Sequence, residues 1–487
     1  ALISSTMYNR GYEPRNKEAM LKENIKYEER FRSYQNIPQP VIAEVTTRID
    51  LYPDEQAYQV LGKYKISNVH DKPIDSILIQ VPADFNTKSL IYTYKNEIIE
   101  IDSAVTAIHL KQALQPQDSA TLEFDMTYKW YAVNGHQPFN AIIKDGSFIR
   151  LSRYLPQIGY NSDKEISDGA IRKQYGLGAQ TEIKALEAPK EIANDFIKLD
   201  MIISTAESQI AVGTGNLKKQ WNDGERNYFR YKADTIPFRF AVSSGAYIAR
   251  TVHYRDIDIT VLHHPLHDHN VDHLIENTKH TLDYCINNFG PYPFNSIIYA
   301  EISSFTQGIA ATAYPGVIFM TENMTFNANI EADNQQDVVN ELAGHEVAHF
   351  WWGNNQISPD YREGYSMLTE SLAMYTEMMI YKKMLGRELM MERLAIHQQI
   401  YDAEKGFYEQ TPLLKATDNT YLSYSKGAMV FVRLSDMIGE QRLNEALRKF
   451  LYKHRYPKDK PISTDLLNVI LEVAPQSEHY KIRSLFE

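Results

Sequence analysis

Residues 340–354 read "NELAGHEVAHFWWGN", with His345 and His349 four apart and Glu346 beside the first. On an α-helix, residues four apart share a face, their Cβ atoms roughly 5–6 Å apart, so two imidazoles in this register can converge on one cation. Val338, Leu342, His345 and His349 fall on one stripe of that helix. Such a stripe turns the pair inward, where a polar ring needs a partner. A shuffled chain shows the His-Glu-x-x-His spacing somewhere with a probability of about 0.03, so the pattern informs without deciding.

The pair suits zinc, which in hydrolases takes three protein ligands and keeps a fourth position for a water whose pKa falls towards neutrality. Glu346, one residue round the helix, is then placed to take the proton of that water. Cys285 is the only cysteine, so any metal must sit on His, Asp or Glu. A third ligand has to come from elsewhere. The polar stretch "GNNQISPDYREGY" (353–365) reads as a loop, and "SMLTESLAMYTEMMIYKKML" (366–385) as a second helix with Leu368, Leu372, Tyr375 and Met379 on its core stripe. Glu370 and Glu377 lie in that helix and Glu363 in the loop before it. A carboxylate in such a helix is usually solvated, and only the nearby histidines lift these three above that reading.

Outward from the motif, 487 residues exceed what one core holds and imply two to four domains. Hydrophobic and charged fractions of 43% and 23% are those of a globular chain, and no apolar run approaches the roughly 18 residues a membrane helix needs. A net charge of −11 without a clustered basic face excludes nucleic acid as partner and leaves peptides or small molecules. Residues 1–40 read as a leading helical segment, exposed, with helical spacing over 8–37 that ends at "IPQP". Short alternating runs such as "VIAEVTTRIDLY", "YQVLGKYKIS" and "DFIKLDMIIST" make 41–254 a β-rich, sandwich-like domain. Residues 255–452 read as a mainly helical catalytic domain and 453–487 as a short C-terminal helical piece. The fold class is multidomain α+β. A start at Ala1 without a signal segment suggests a processed or excised portion of a longer chain.

The succession His345-Glu346-x-x-His349, Trp351-x-Gly353-Asn354 and "TESLAMYTE" (369–377) resembles the gluzincin aminopeptidases, the family of aminopeptidase N and leukotriene hydrolase. Their pattern runs His-Glu-x-x-His, Trp-x-Gly-Asn, then Asn-Glu-Gly through to Tyr-x-Glu. The resemblance implies a thermolysin-like catalytic domain, a peptide substrate, and one zinc ion held by His345, His349 and Glu370, with Glu346 as general base. Twenty residues separate His349 from Glu370 where relatives usually have eighteen, and Thr369 replaces the usual Asn. The polar loop accommodates the difference, so Glu377 and Glu363 remain weaker candidates. Further on, "SYSKGAMVFVRL" (423–434) looks like the family's Tyr-x-Lys-Gly-Ala segment. It makes Tyr424 the donor to the developing oxyanion, a role that can be worth about 3 kcal/mol. The large C-terminal helical domain of many members is missing from this stretch.

One element departs. Relatives carry Gly-x-Met-Glu-Asn on an edge strand, and its glutamate holds the free amine of the substrate. Here the stretch is "FTQGIAATAYPGVIFM" (305–320), with no carboxylate between Glu301 and Glu322. The backbone of Gly308, Ile309, Ala310 and Ala311 remains to align a peptide as an added strand. Alternatives therefore stay open: a non-catalytic binding module that kept the fold, or an endopeptidase or other hydrolase on the same zinc site. "HHPLHDHNVDH" (263–273) holds five histidines and is expected to be a solvated connection rather than a metal site. Finally, "RSYQNIPQPVIAEVTTRIDLYP" (32–53) is similar to peptidase domains that follow a membrane permease segment in some bacteria. That likeness implies an extracytoplasmic or membrane-associated place for the chain.

Overall fold

A computed structural model describes residues 17–102, 104–131, 139–190, 196–304, 306, 309–330, 338–353, 355–407 and 411–487. Alternation decides the first domain. Along Ala57–Ser67 the side chains of Tyr58, Val60, Tyr64 and Ile66 are buried while Leu61, Lys63 and Lys65 face water, as a sheet with one covered face requires. This strand lies inside an eight-stranded sheet in which one interior pair, Val41–Tyr52 and Phe196–Ala206, is parallel while their outer neighbours are antiparallel. A three-stranded and a four-stranded sheet complete the domain, and Val45, Ile49 and Val60 share one core with Ile77, Ile79 and Phe148. The sandwich-like reading holds.

The leading segment is less exposed than expected. Its described helix, Lys17–Phe31, buries Ile25, Tyr27, Glu28 and Phe31. Tyr27 stacks on Tyr160 with ring centroids 5.3 Å apart, and the buried Glu28 carboxylate is gripped by Arg172 (Nη1 to Oε2, 3.1 Å). Charged residues at helical spacing look solvated in a sequence, but here one of them meets a buried guanidinium 144 residues away.

The second domain is built on a five-stranded sheet, ordered Ile248–Tyr254, Ile257–His263, Ser296–Ile302, Val317–Thr321 and Ala311–Tyr314. The central strands are parallel and nearly continuous in apolar residues, as strands covered on both faces are. Ile298, Ala300, Val317 and Phe319 join the core of the first domain, while Ile297, Tyr299, Ile318 and Met320 join the core of the helices. The expected boundary at 254 therefore falls inside a sheet: strand Ile248–Tyr254 pairs with Ile257–His263 and belongs to the second domain. The short helical piece expected at 453–487 carries two helices. Helices Ser463–Val473 and His479–Phe486 bury Leu466, Ile470, Ile482 and Phe486 in the same core as the motif helix. Among the described residues no helix is long and apolar enough to cross a membrane.

Candidate metal centre

The motif helix, Val338–Ala348, is buried on nearly every side, with Leu342 among its few partly covered residues. Leu342 and the histidines do not form a single inward stripe. The helix buries nearly every face instead, its polar Asn340, Glu341, His345 and Glu346 along with its apolar residues. His349 sits in the turn just beyond the helix end. There its Nδ1 faces the Trp352 carbonyl at 3.2 Å, and His345 Nδ1 faces Glu377 Oε2 at 3.3 Å. An imidazole that gives its Nδ1 proton to an oxygen presents a lone pair at Nε2. Both Nε2 atoms then point at the same place.

They lie 3.2 Å apart, and Glu370 Oε2 is 3.2 Å from His345 Nε2 and 3.5 Å from His349 Nε2. A tetrahedral ion with ligand bonds of about 2.0–2.1 Å sets its ligands about 3.3 Å apart, so the three donors already span one face of such a site. Two facing lone pairs and a carboxylate repel unless a cation sits between them. Without a metal a proton does this work. Burial disfavours charged His345, but its hydrogen bonds to Glu370 and Glu377 and their charges prevail and push its pKa up to about 10. Glu370, although burial opposes it, is held well below the usual carboxylate range by the charge of His349 and the hydrogen bond from His345. The donor set fits a zinc ion in chemistry as well as spacing.

Glu370 is aimed by a feature the sequence does not display. Met367–Ser371 is a single π-helical turn that leads into the α-helix Leu372–Leu385, and Tyr424 sits in another, Tyr421–Lys426. Such turns insert one extra residue and re-aim the side chains around it. The two turns lock together through Ser371 Oγ, which donates to the Ser423 carbonyl at 2.6 Å. Gly427 makes room for this, since a Cβ there meets Ser371 Oγ at 2.3 Å. Gly353, at φ +83°, likewise passes so close to Thr369 that a Cβ meets its side chain at 2.6 Å, which ties the Trp-x-Gly segment to the glutamate turn. Asn354 and Gly308 lie outside the described residues.

Tyr424 stacks on His345 with centroids 5.4 Å apart and planes 13° from parallel. Burial, then the charge of Glu370, raises its hydroxyl pKa, so it remains a proton donor at neutral pH. Glu346 is buried and its charge acts on Tyr424 and Tyr299. The weaker ligand candidates resolve differently. Glu363 accepts from the Leu186 amide at 3.0 Å and pairs with Lys415 at 2.9 Å, binding the loop to a segment of the first domain. Glu377 stands behind His345 rather than on the metal side, and its Oε1 has no hydrogen-bond partner among the described residues. Its role was missed, although its place seven residues after Glu370, two turns on, puts the two carboxylates on one helix face.

Ile309, Ala310 and Ala311 lead into the edge strand Ala311–Tyr314, beside which the motif helix packs. The Ala310 carbonyl is committed to the Thr321 amide at 2.9 Å. By alternation, the amide and carbonyl of Ala311 point to the open edge, where an added strand pairs.

Two imidazoles and a helical carboxylate, set between a mixed sheet and a helical bundle, form a candidate metal site. Residues 273–487 match the peptidase family M1 domain. It is 25% identical over 193 residues to aminopeptidase M1-D of Oryza sativa subsp. japonica, covering 38% of this chain and 21% of that protein. It is 23% identical over 261 residues to aminopeptidase 2 of Candida albicans, covering 48% and 26%. The chain thus spans about a quarter or less of these relatives' lengths. An M1 zinc metallopeptidase from Deinococcus radiodurans shares the fold at a TM-score of 0.64, with 14% identity, covering 92% of this chain and 94% of that one. A mutant of that protein bound to a Tyr-Ser-Ala substrate aligns at 0.63 with 13% identity.

Proposed function

We propose that the chain is a zinc-dependent metallopeptidase of aminopeptidase-like type that hydrolyses peptide bonds. The observation that carries this reading is the convergence of His345 Nε2, His349 Nε2 and Glu370 Oε2 at 3.2 to 3.5 Å, with both Nδ1 atoms turned to oxygens behind. One zinc ion on these ligands supplies Lewis-acid polarisation of the scissile carbonyl and a water of lowered pKa. Glu346 takes the proton of the attacking water and passes it to the leaving amine. Tyr424 donates its hydroxyl hydrogen bond to the oxyanion. The main chain at Ile309–Ala311 aligns the peptide. Gly308, the first residue of that segment by sequence, belongs to the same assignment.

The missing Gly-x-Met-Glu-Asn glutamate makes selection for a free amino terminus weak. Hydrolysis of amino-acid anilides and of N-blocked peptides by the zinc-loaded chain, beside Glu346→Gln, tests the whole reading. Cleavage of anilides that is lost in the variant supports it. Cleavage of blocked peptides alone makes the chain an endopeptidase, and no cleavage of either makes it a binding module. The likeness at 32–53 supports a further proposal, a membrane-anchored, extracytoplasmic place in a bacterium. Fractionation of cells producing the full-length protein tests it, and recovery from the cytosol overturns it.

A further inference from the structure

The histidine-rich connection 263–273 is solvated only in part, at Pro265, Leu266, Asp268, His269 and Asp272. His263 is buried, and His264 and His267 lie over a cavity of about 210 Å3 that Asp145, Glu301, Ser303 and Glu322 also line. His267, Glu301 and Glu322 bring one donor atom each to within 4.8 Å of one another. We propose that these three residues form a second divalent-cation site, for an ion such as Zn2+ or Mn2+, separate from the His345/His349/Glu370 centre.

The ligands come from three elements that the fold fixes independently. His267 precedes the helix Val271–Phe289, Glu301 ends the strand Ser296–Ile302, and Glu322 follows the strand Val317–Thr321. Each carboxylate has one oxygen tied by main chain, which fixes its orientation in the cluster. Glu301 Oε2 accepts from the His264 amide at 2.7 Å, and Glu322 Oε1 accepts from the Ser304 amide at 2.8 Å and its hydroxyl at 2.7 Å. This is the backing that orients metal ligands. Glu301 Oε1 meets His267 Nδ1 directly, much as Glu370 meets His345 in the principal centre.

A bare ion pair between His267 and Glu301 explains part of the cluster but not Glu322, which brings a second negative charge to the same point. Among the described residues no lysine or arginine forms an ion pair with either glutamate. A divalent ion balances two carboxylates, and the mixed imidazole and carboxylate set suits zinc or manganese over calcium, which takes oxygen ligands alone. The site has a structural consequence. Ser303 donates its amide to the Gly146 carbonyl of the first domain at 3.0 Å, and Ser303 and Ser304 open the segment that runs to the edge strand Ala311–Tyr314. An ion here pins the entry to that strand from both domains.

The proposal does not depend on the peptidase reading, and metal content separates the two. After equilibration with Zn2+ and dialysis, the whole chain should retain two equivalents by mass spectrometry. The pair His345→Ala with His349→Ala should retain one, and adding His267→Ala with Glu322→Gln should remove it. Calorimetric titration of Zn2+ into the first variant should show a single site that the added substitutions abolish. One equivalent in the unaltered chain, or zinc binding unchanged by His267→Ala with Glu322→Gln, overturns the proposal. If the multiple variants do not fold, the stoichiometry of the unaltered chain decides alone.

Discussion

Two neighbouring elements, the motif helix and the edge strand beside it, follow the family pattern to different depths. Around the helix the proposed ligands His345, His349 and Glu370 and the proposed donor Tyr424 are gathered beside the proposed base Glu346, and even the oxygens behind the imidazoles are in place. On the strand the sequence has no carboxylate between Glu301 and Glu322, and the proposed handle for substrate is backbone. On the proposed reading, bond cleavage and substrate choice rest on separable parts. The first needs a few atoms fixed to fractions of an ångström. The second needs a charge that another peptide handle can replace.

The sharpest way to break this contrast is to damage the helix side alone. Glu370→Ala should strip zinc from the principal centre and hydrolysis with it, whereas Glu346→Gln should keep the zinc and lose about 10²–10⁴ in kcat. Metal content beside anilide turnover checks both, and a Glu346→Gln chain of full activity removes Glu346 from the reaction. Tyr424→Phe should cost about 10²–10³ in kcat with KM and zinc little changed. A loss confined to KM places the hydroxyl in binding instead. Glu377→Gln should weaken zinc by about 10–100-fold, since it loosens the hydrogen bond that orients His345. Chelator competition reads this, and unaltered affinity makes Glu377 a bystander. The smallest change tests the strand. Ala311→Glu should restore a carboxylate and raise the ratio of free to N-blocked substrate turnover several-fold without altering zinc; an unchanged ratio places the amine elsewhere.

Local pattern made much of this visible in the amino-acid sequence. Residues four apart on a helix fix the geometry of an imidazole pair, so His345 and His349 are readable from spacing alone, and period-two alternation in Ala57–Ser67 shows a half-covered sheet. What depends on distant partners was hidden. Nothing in "SMLTESL" marks a π-helical turn, because that turn is held by Ser371 against Ser423, 52 residues on. Glu377 and Glu363 look alike as candidates, and only the fold sends one behind His345 and the other to Leu186 and Lys415. The boundary at 254 failed because strands 248–254 and 257–263 form a hairpin with the same alternation as the first domain, while the sheet they join lies in the second. The histidines of 263–273 looked solvated because the carboxylates they meet lie some thirty to sixty residues downstream.

The account stands on one ion between two imidazoles and a carboxylate, and anomalous diffraction at the zinc edge from crystals of the zinc-loaded chain tests it most directly. The expected result is a peak bonded to His345 Nε2, His349 Nε2 and a Glu370 oxygen at about 2.0–2.2 Å. Density at that point without an anomalous signal, or a zinc held by other residues in its place, contradicts it.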